Sequence, residues 1–163
     1  MLELAHMPAA GIPVVLALFG IGTVAGNLAG AKLADKALMP TIGGVLVWAA
    51  LVLGAFALTA SHPWLAAINV LLVGTTVALG PALQIRLMDV AGDAQTLAAA
   101  LNHSAFNMAN ALGAWLGGVT IAAGYGWEST GWVGLLLALG GLVVYAWSML
   151  SMGRQGAPVA AQA

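Results

Sequence analysis

The chain has 163 residues, of which 62% are hydrophobic and 6% are charged, and its formal net charge is −1. A soluble domain carries about 25% charged residues to wet its surface, so this composition excludes a water-soluble globule. The lack of a basic excess argues against nucleic-acid binding, and the lack of cysteine excludes disulfides and thiolate metal sites. We therefore expect an integral membrane protein whose partner is the lipid bilayer.

Uncharged runs divide the chain into about five transmembrane helices, since crossing roughly 30 Å of hydrocarbon takes about 20 residues. The predicted spans cover residues 12–31, 38–60, 64–84, 96–123 and 130–151 of an all-α bundle over 1–153. Pro63 and its polar neighbours mark the turn inside the longest uncharged run. The runs do not alternate in polarity as barrel strands do. We expect residues 154–163 to be a disordered cytoplasmic tail.

The basic residues predict the orientation of the bundle. In a five-span arrangement Lys32, Lys36, Arg86 and Arg154 all fall on one side, and the segments on the other side contain no Lys or Arg. Short loops rich in Lys and Arg stay in the cytoplasm. We therefore expect the N-terminus outside and the C-terminus in the cytoplasm.

Small residues recur at four-residue spacing in two of the spans. Such residues let helices approach closely in lipid, so we favour helix packing over ligand contact for them. The residues are Gly22, Gly26 and Gly30 in the first span and Ala109, Gly113 and Gly117 in the fourth.

Polar side chains inside the spans are the candidates for a substrate pathway. His103, Asn107 and Asn110 step by four and three residues and so share one helical face, and Asn69 and Thr76 add polar groups to the third span. Such groups are costly in hydrocarbon. They either make hydrogen bonds between helices or line a pathway, and both interpretations stay open. For His103 we favour packing over a proton relay.

Enzyme motifs are absent from the sequence. It contains no G-x-S-x-G elbow, no H-E-x-x-H and no cluster of acidic residues within a span. We expect no enzymatic activity, no cofactor and no metal.

The segment GNLAGAKLADK, residues 26–36, closes the first span and opens a very short loop. Gly30 would permit close packing there, and Lys32 and Lys36 would anchor at lipid headgroups. Asp35 would cap the next helix or pair with a base. Two interpretations of this loop stay open: it only sets the orientation of the protein in the membrane, or it also makes a gating contact.

This segment resembles the cytoplasmic loop motif between the eighth and ninth helices of the major facilitator superfamily (MFS). Residues 78–118 are similar to the tenth-to-eleventh helix region of bacterial proton-coupled drug and sugar efflux permeases, in particular the arabinose-efflux and chloramphenicol-resistance-like group. The resemblance implies helices eight to twelve of a twelve-helix inner-membrane antiporter that exchanges a small organic substrate for protons. It also implies that the loop residues latch the inward side. The chain departs from the pattern at Ala31, where the family often has glycine, and lacks the usual basic pair after Asp35.

The resemblance leaves seven helices unaccounted for. We therefore expect a transporter fragment that is inactive as an isolated chain and needs the missing N-terminal helices or other chains. Two alternatives stay open. One is a non-transporting membrane subunit whose Gly/Ala faces bind partner helices, and the other is a small homodimeric exporter.

Overall fold

The computed structural model describes the backbone of residues 11–155 and the side chains of residues 11–152. Over this range the regular structure is helical, which confirms the predicted all-α class. Residues 1–10 and 156–163, including most of the predicted tail, lie outside the described residues. The helices are α1 (Ile12–Lys36), α2 (Leu38–Thr59), α3 (Pro63–Thr75), α4 (Leu79–Val90), α5 (Gln95–Ala122) and α6 (Ser129–Gln155).

Local sequence explains where the helices begin and turn. Pro63 occupies the first turn of α3, where its missing N–H group costs nothing. Gly124 and Gly126 lie between α5 and α6 with φ angles of +86° and +75°, a region that residues with a Cβ avoid. Each predicted span starts within one residue of a helix start. Which part of each helix lies in the membrane stays a prediction.

The third predicted span is interrupted rather than continuous. A 3-10 turn at Thr76–Ala78 separates α3 from α4, directly before Gly80 and Pro81. Proline at position 81 cannot donate to the carbonyl of Val77, and its ring crowds that carbonyl. The Gly-Pro pair therefore produces the break. Helix α4 then continues through Arg86 and Asp89, whereas the third predicted span ends at residue 84.

The predicted loop motif needs a correction. Gly30, Lys32, Asp35 and Lys36 all lie within α1, and the connection to α2 is the single residue Ala37 (φ −158°, ψ 85°). The reason is that residues 31–36 contain no glycine or proline and, apart from Asp35, are good helix formers, so nothing ends the helix earlier. The tail also starts later than predicted, because α6 includes Arg154 and Gln155.

Helices α1 and α3 run parallel and pack closely through glycine. A Cβ at Gly26 would lie 2.5 Å from the carbonyl oxygen of Thr75, and one at Gly30 would lie 2.7 Å from the Cβ of Ala78. Gly22 faces the backbone of Leu71 in the same way. The small residues replace side-chain packing with backbone contact, as expected in lipid.

Helices α2 and α6 form the second extensive contact, and they run antiparallel. A Cβ at Gly131 would lie 2.8 Å from the Cβ of Ala57, whereas Gly141 contacts the side chain of Leu46 at the other end of the pair. At that end the Tyr145 hydroxyl donates to the carbonyl oxygen of Met39 at 2.8 Å.

These directions show that the chain crosses the bundle five times. Four stretches are long and apolar enough to span a membrane among the described residues: α1, α2, α3 with α4, and α6. The more polar α5 returns the chain from the end of α4 to the opposite end of the bundle, where α6 starts. The protein is therefore a multi-pass membrane protein with a polar fifth helix.

All four basic residues lie at one end of the bundle, which we call the basic end. Lys32 and Lys36 are near the end of α1, Arg86 is near the end of α4 and Arg154 is near the end of α6. Since α1, α3–α4 and α6 run in the same direction, these helix ends lie together.

Candidate functional site: a cleft between α4 and α5

The α4/α5 cleft is the candidate site because it combines volume with polar side chains. Its volume is about 500 Å³. Its lining consists of Val77, Gly80, Pro81, Gln84, Ile85, Met88, Asn102, His103 and Phe106. None of these residues carries a permanent charge.

The break before α4 shapes one wall of this cleft. Gly80 faces the ring of Phe106, and a Cβ at position 80 would lie in ordinary contact with its Cζ at 3.8 Å. Gln84 follows one turn later, on the same wall. The other wall is α5, where Asn102 is 9% exposed and His103 is exposed.

The polar groups of the cleft can bind a neutral, hydrogen-bonding molecule. The amides of Gln84 and Asn102 each supply donors and an acceptor, and the imidazole of His103 supplies one of each when neutral. Phe106 and Met88 supply apolar surface. Pockets that combine a few polar groups with apolar walls are typical of small-molecule sites.

Of the predicted pathway residues on α5, only His103 lines the cleft. Asn107 and Asn110 lie further along the same helix and are exposed on the described structure. They extend a polar stripe beyond the cleft, toward the start of α6.

The predicted pathway residues of the third span lie elsewhere. Asn69 is 5% exposed, and its amide is hydrogen-bonded to the Thr59 hydroxyl at 3.0 Å, across the contact between α3 and α2. The Thr76 hydroxyl donates to the carbonyl oxygen of Val73 at 2.7 Å, within its own chain segment. The structure thus places Asn69 in a contact between helices and bonds Thr76 within its own segment, and neither residue lines the α4/α5 cleft.

The small residues of α5 make fewer contacts than those of α1. Gly117 is buried, and a Cβ there would lie 3.5 Å from the Thr130 side chain. Ala109 is exposed, and a Cβ at Gly113 would meet nothing within 4 Å among the described residues.

The residues of the loop motif do not reach the α4/α5 cleft. Lys32, Asp35 and Lys36 are exposed at the basic end. Lys36 and the buried Gly30 line a separate groove between α1 and α2.

Sequence reasoning did not select Gln84, Asn102 and Phe106 as site residues. A signal for them existed, because Val77, Pro81, Gln84 and Met88 recur at helical spacing and so share one face of the broken helix. Asn102 and Phe106 are likewise four residues apart on α5.

Relatives of the chain are transporters. It is 36% identical over 137 residues to the inner membrane transport protein YdhP of Escherichia coli K12, an alignment that covers 83% of this chain and 35% of that protein. It is 37% identical over 145 residues to the MFS-type transporter YfhI of Bacillus subtilis, covering 86% of this chain and 36% of the relative.

The chain is homologous to a segment of MFS-type transporters. A further Bacillus subtilis relative, the MFS-type transporter YtbD, is 33% identical over 155 residues, covering 91% of this chain and 38% of the relative. The chain thus spans somewhat more than a third of the length of these MFS-type relatives. No family model matches it, and no solved structure matches it significantly.

Proposed function

We propose that the chain is the C-terminal portion, helices eight to twelve, of an MFS efflux transporter of the arabinose-efflux or chloramphenicol-resistance-like group. The whole protein exchanges a small organic molecule for protons across a bacterial inner membrane, and the isolated chain does not transport. The similarity to a segment of MFS-type transporters supports this proposal, and the exposed polar face of α5 carries it.

The face of α5 is incompatible with lipid as its neighbour. His103, Asn107 and Asn110 are exposed on the described structure, yet amide and imidazole groups are costly in hydrocarbon and face protein or a water-filled cavity. Further helices must therefore lie opposite α5. The α4/α5 cleft would then form part of the wall of a cavity between the chain and these helices.

The residues of the chain also bear on the charge of the substrate and on the location of the residue that carries the proton. The uncharged lining of the cleft favours a neutral substrate or the neutral part of a larger one. The carboxylates of Asp35, Asp89, Asp93 and Glu128 lie at the ends of helices or in turns. We therefore place the proton-carrying acid in the helices opposite α5.

The basic end faces the cytoplasm in this proposal, because Lys and Arg are retained there. Reporter fusions at the two ends of the chain test the orientation. We expect the N-terminal reporter to be active outside and the C-terminal one to be active inside. Activity of both reporters in one compartment would refute it.

The central test measures the size and activity of the polypeptide in its source membrane. We expect an immunoblot against α6 to detect a protein of about 40 kDa, the size of twelve spans with their loops. In proteoliposomes with a pH gradient this protein should transport, whereas the 16.3 kDa chain should not. Transport by the 16.3 kDa chain alone would instead support a homodimeric exporter. A stable 16.3 kDa product without transport would support a membrane subunit.

A further inference from the structure

A groove lies between α1 and α2, and its lining shares no residue with the α4/α5 cleft. The two helices diverge from the one-residue corner at Ala37, and Thr75 and Ala78 lie at the floor between them. The α1/α2 groove has a volume of about 560 Å³. Its α1 wall consists of Ala25, Gly26, Ala29, Gly30, Leu33 and Lys36.

The α1/α2 groove offers almost nothing to a polar ligand along its length. The Thr41 hydroxyl donates to the carbonyl oxygen of Ala37 at 2.8 Å. The Thr75 hydroxyl donates to the carbonyl oxygen of Leu72 at 2.6 Å and accepts the indole N–H of Trp48 at 2.8 Å. Since these protons are already donated and the rest of the lining is apolar apart from Lys36, the groove favours an apolar occupant.

The length of the groove matches one lipid leaflet. Along α1 it extends from Ala25 to Lys36, which is about 16 Å at 1.5 Å per residue. Along α2 it extends from Ala37 to Trp48, which is again about 16 Å. The hydrocarbon core of a bilayer is about 30 Å thick, so the groove runs from one surface to about the midplane and ends at the Trp48 indole.

The one charged residue in the groove lining lies at its surface end. Lys36 is exposed and is the last residue of α1. Because Lys36 belongs to the basic end, we expect its ammonium group at headgroup depth, where basic side chains attract anionic lipids. An apolar channel one leaflet long that ends at a cation complements an acyl chain that ends at a phosphate.

We propose that the α1/α2 groove binds an anionic phospholipid, with one acyl chain along the groove and the phosphate at Lys36. This site is separate from the proposed substrate pathway. Its leaflet is the cytoplasmic one if the basic end faces the cytoplasm, but the binding does not depend on that orientation.

The test compares two matched pairs of variants in the polypeptide as its source membrane produces it. K36Q removes the charge in the groove, and K32Q makes the same change four residues earlier, outside the groove lining. G44L fills the groove, and G140L adds the same bulk on α6. A Cβ at Gly44 or Gly140 meets nothing within 4 Å among the described residues.

Each protein is reconstituted into nanodiscs of palmitoyl-oleoyl phosphatidylglycerol and phosphatidylcholine, and native mass spectrometry counts the lipids retained after release. We expect selective retention of phosphatidylglycerol, lowered about fivefold by K36Q, since a lysine near the surface contributes on the order of 1 kcal/mol. K32Q should lower it less than K36Q does, because Lys32 lies outside the groove lining. G44L should lower retention on the order of tenfold by displacing methylene groups from apolar contact, and G140L should leave it unchanged.

Three results would overturn the proposal. Equal losses in K36Q and K32Q would indicate general surface attraction rather than a site at Lys36. Unchanged retention in G44L would show that the acyl chain lies outside the groove. A loss of dimer in G44L, with lipid retention unchanged from the parent, would assign the groove to a second copy of the chain.

Discussion

The substitution Gly26→Ala tests whether the backbone contact between α1 and α3 holds the bundle together. A Cβ at position 26 would lie 2.5 Å from the carbonyl oxygen of Thr75 and 2.7 Å from its Cα, whereas an ordinary contact begins at 3.4 Å. The helices must therefore separate by about 0.9 Å at this point, and they cannot relieve the clash by a rotamer change because Thr75 contributes backbone atoms. Overpacking of this kind costs about 1–3 kcal/mol.

The matched control is Gly20→Ala, on the same helix. Among the described residues, a Cβ at position 20 meets nothing within 4 Å, so only the change in helix propensity remains, which favours alanine by up to about 1 kcal/mol. The free energy of unfolding of the full-length polypeptide is measured in mixed micelles of increasing SDS fraction, followed by tryptophan fluorescence. Because both substitutions gain the same helix propensity, we expect Gly26→Ala to be less stable than Gly20→Ala by the overpacking cost alone, about 1–3 kcal/mol. Equal stability of the two variants would refute the reasoning that glycine at position 26 is required by contact.

Three further predictions concern other parts of the molecule. Trp48→Phe keeps an aromatic ring but removes the N–H group bonded to Thr75, and it should lower the free energy of unfolding by about 0.6 kcal/mol, the average for a hydrogen bond between membrane helices. Cysteines at positions His103 and Asn107 of the full-length protein should react with membrane-impermeant thiol reagents, and substrate should slow the reaction. Asp35→Asn should impair transport in vesicles while the abundance of the protein in the membrane stays unchanged, as expected of a latch residue. The control for Trp48→Phe is Trp64→Phe, because Trp64 is 84% exposed and should tolerate the change. Inert cysteines on α5 would mean that its polar face is packed against protein, and lower abundance of Asp35→Asn would indicate a folding role for Asp35.

Part of the candidate site was predictable because it depends on local spacing. The spacing of His103, Asn107 and Asn110 placed them on one face of α5, and the Gly80–Pro81 pair indicated a break in the third span. Which of these residues meet was not predictable. Asn69 and Asn107 are both asparagines within apolar runs. Asn69 is nevertheless buried against Thr59, whereas Asn107 is exposed. The difference arises from the packing of α2 against α3, which the sequence does not reveal.

The sequence alone determined the helical class and the one-sided placement of the basic residues. These properties follow from apolar run length, proline and glycine positions and charge, all of which act over a few neighbouring residues. It did not determine that the loop motif is helical up to Lys36, because the absence of a terminating residue is a weaker signal than the charges that mark a membrane surface.

Only the tertiary structure decided which glycines pack. Gly26 and Gly113 have the same four-residue pattern, but Gly26 lies against the backbone of Thr75 and Gly113 has open space beside it. The tertiary structure also decided that Gln84 and Asn102 share a cleft with His103. Close contact between helices depends on which helix faces meet. That pairing is determined by residues far apart in the chain, so local sequence patterns do not predict it.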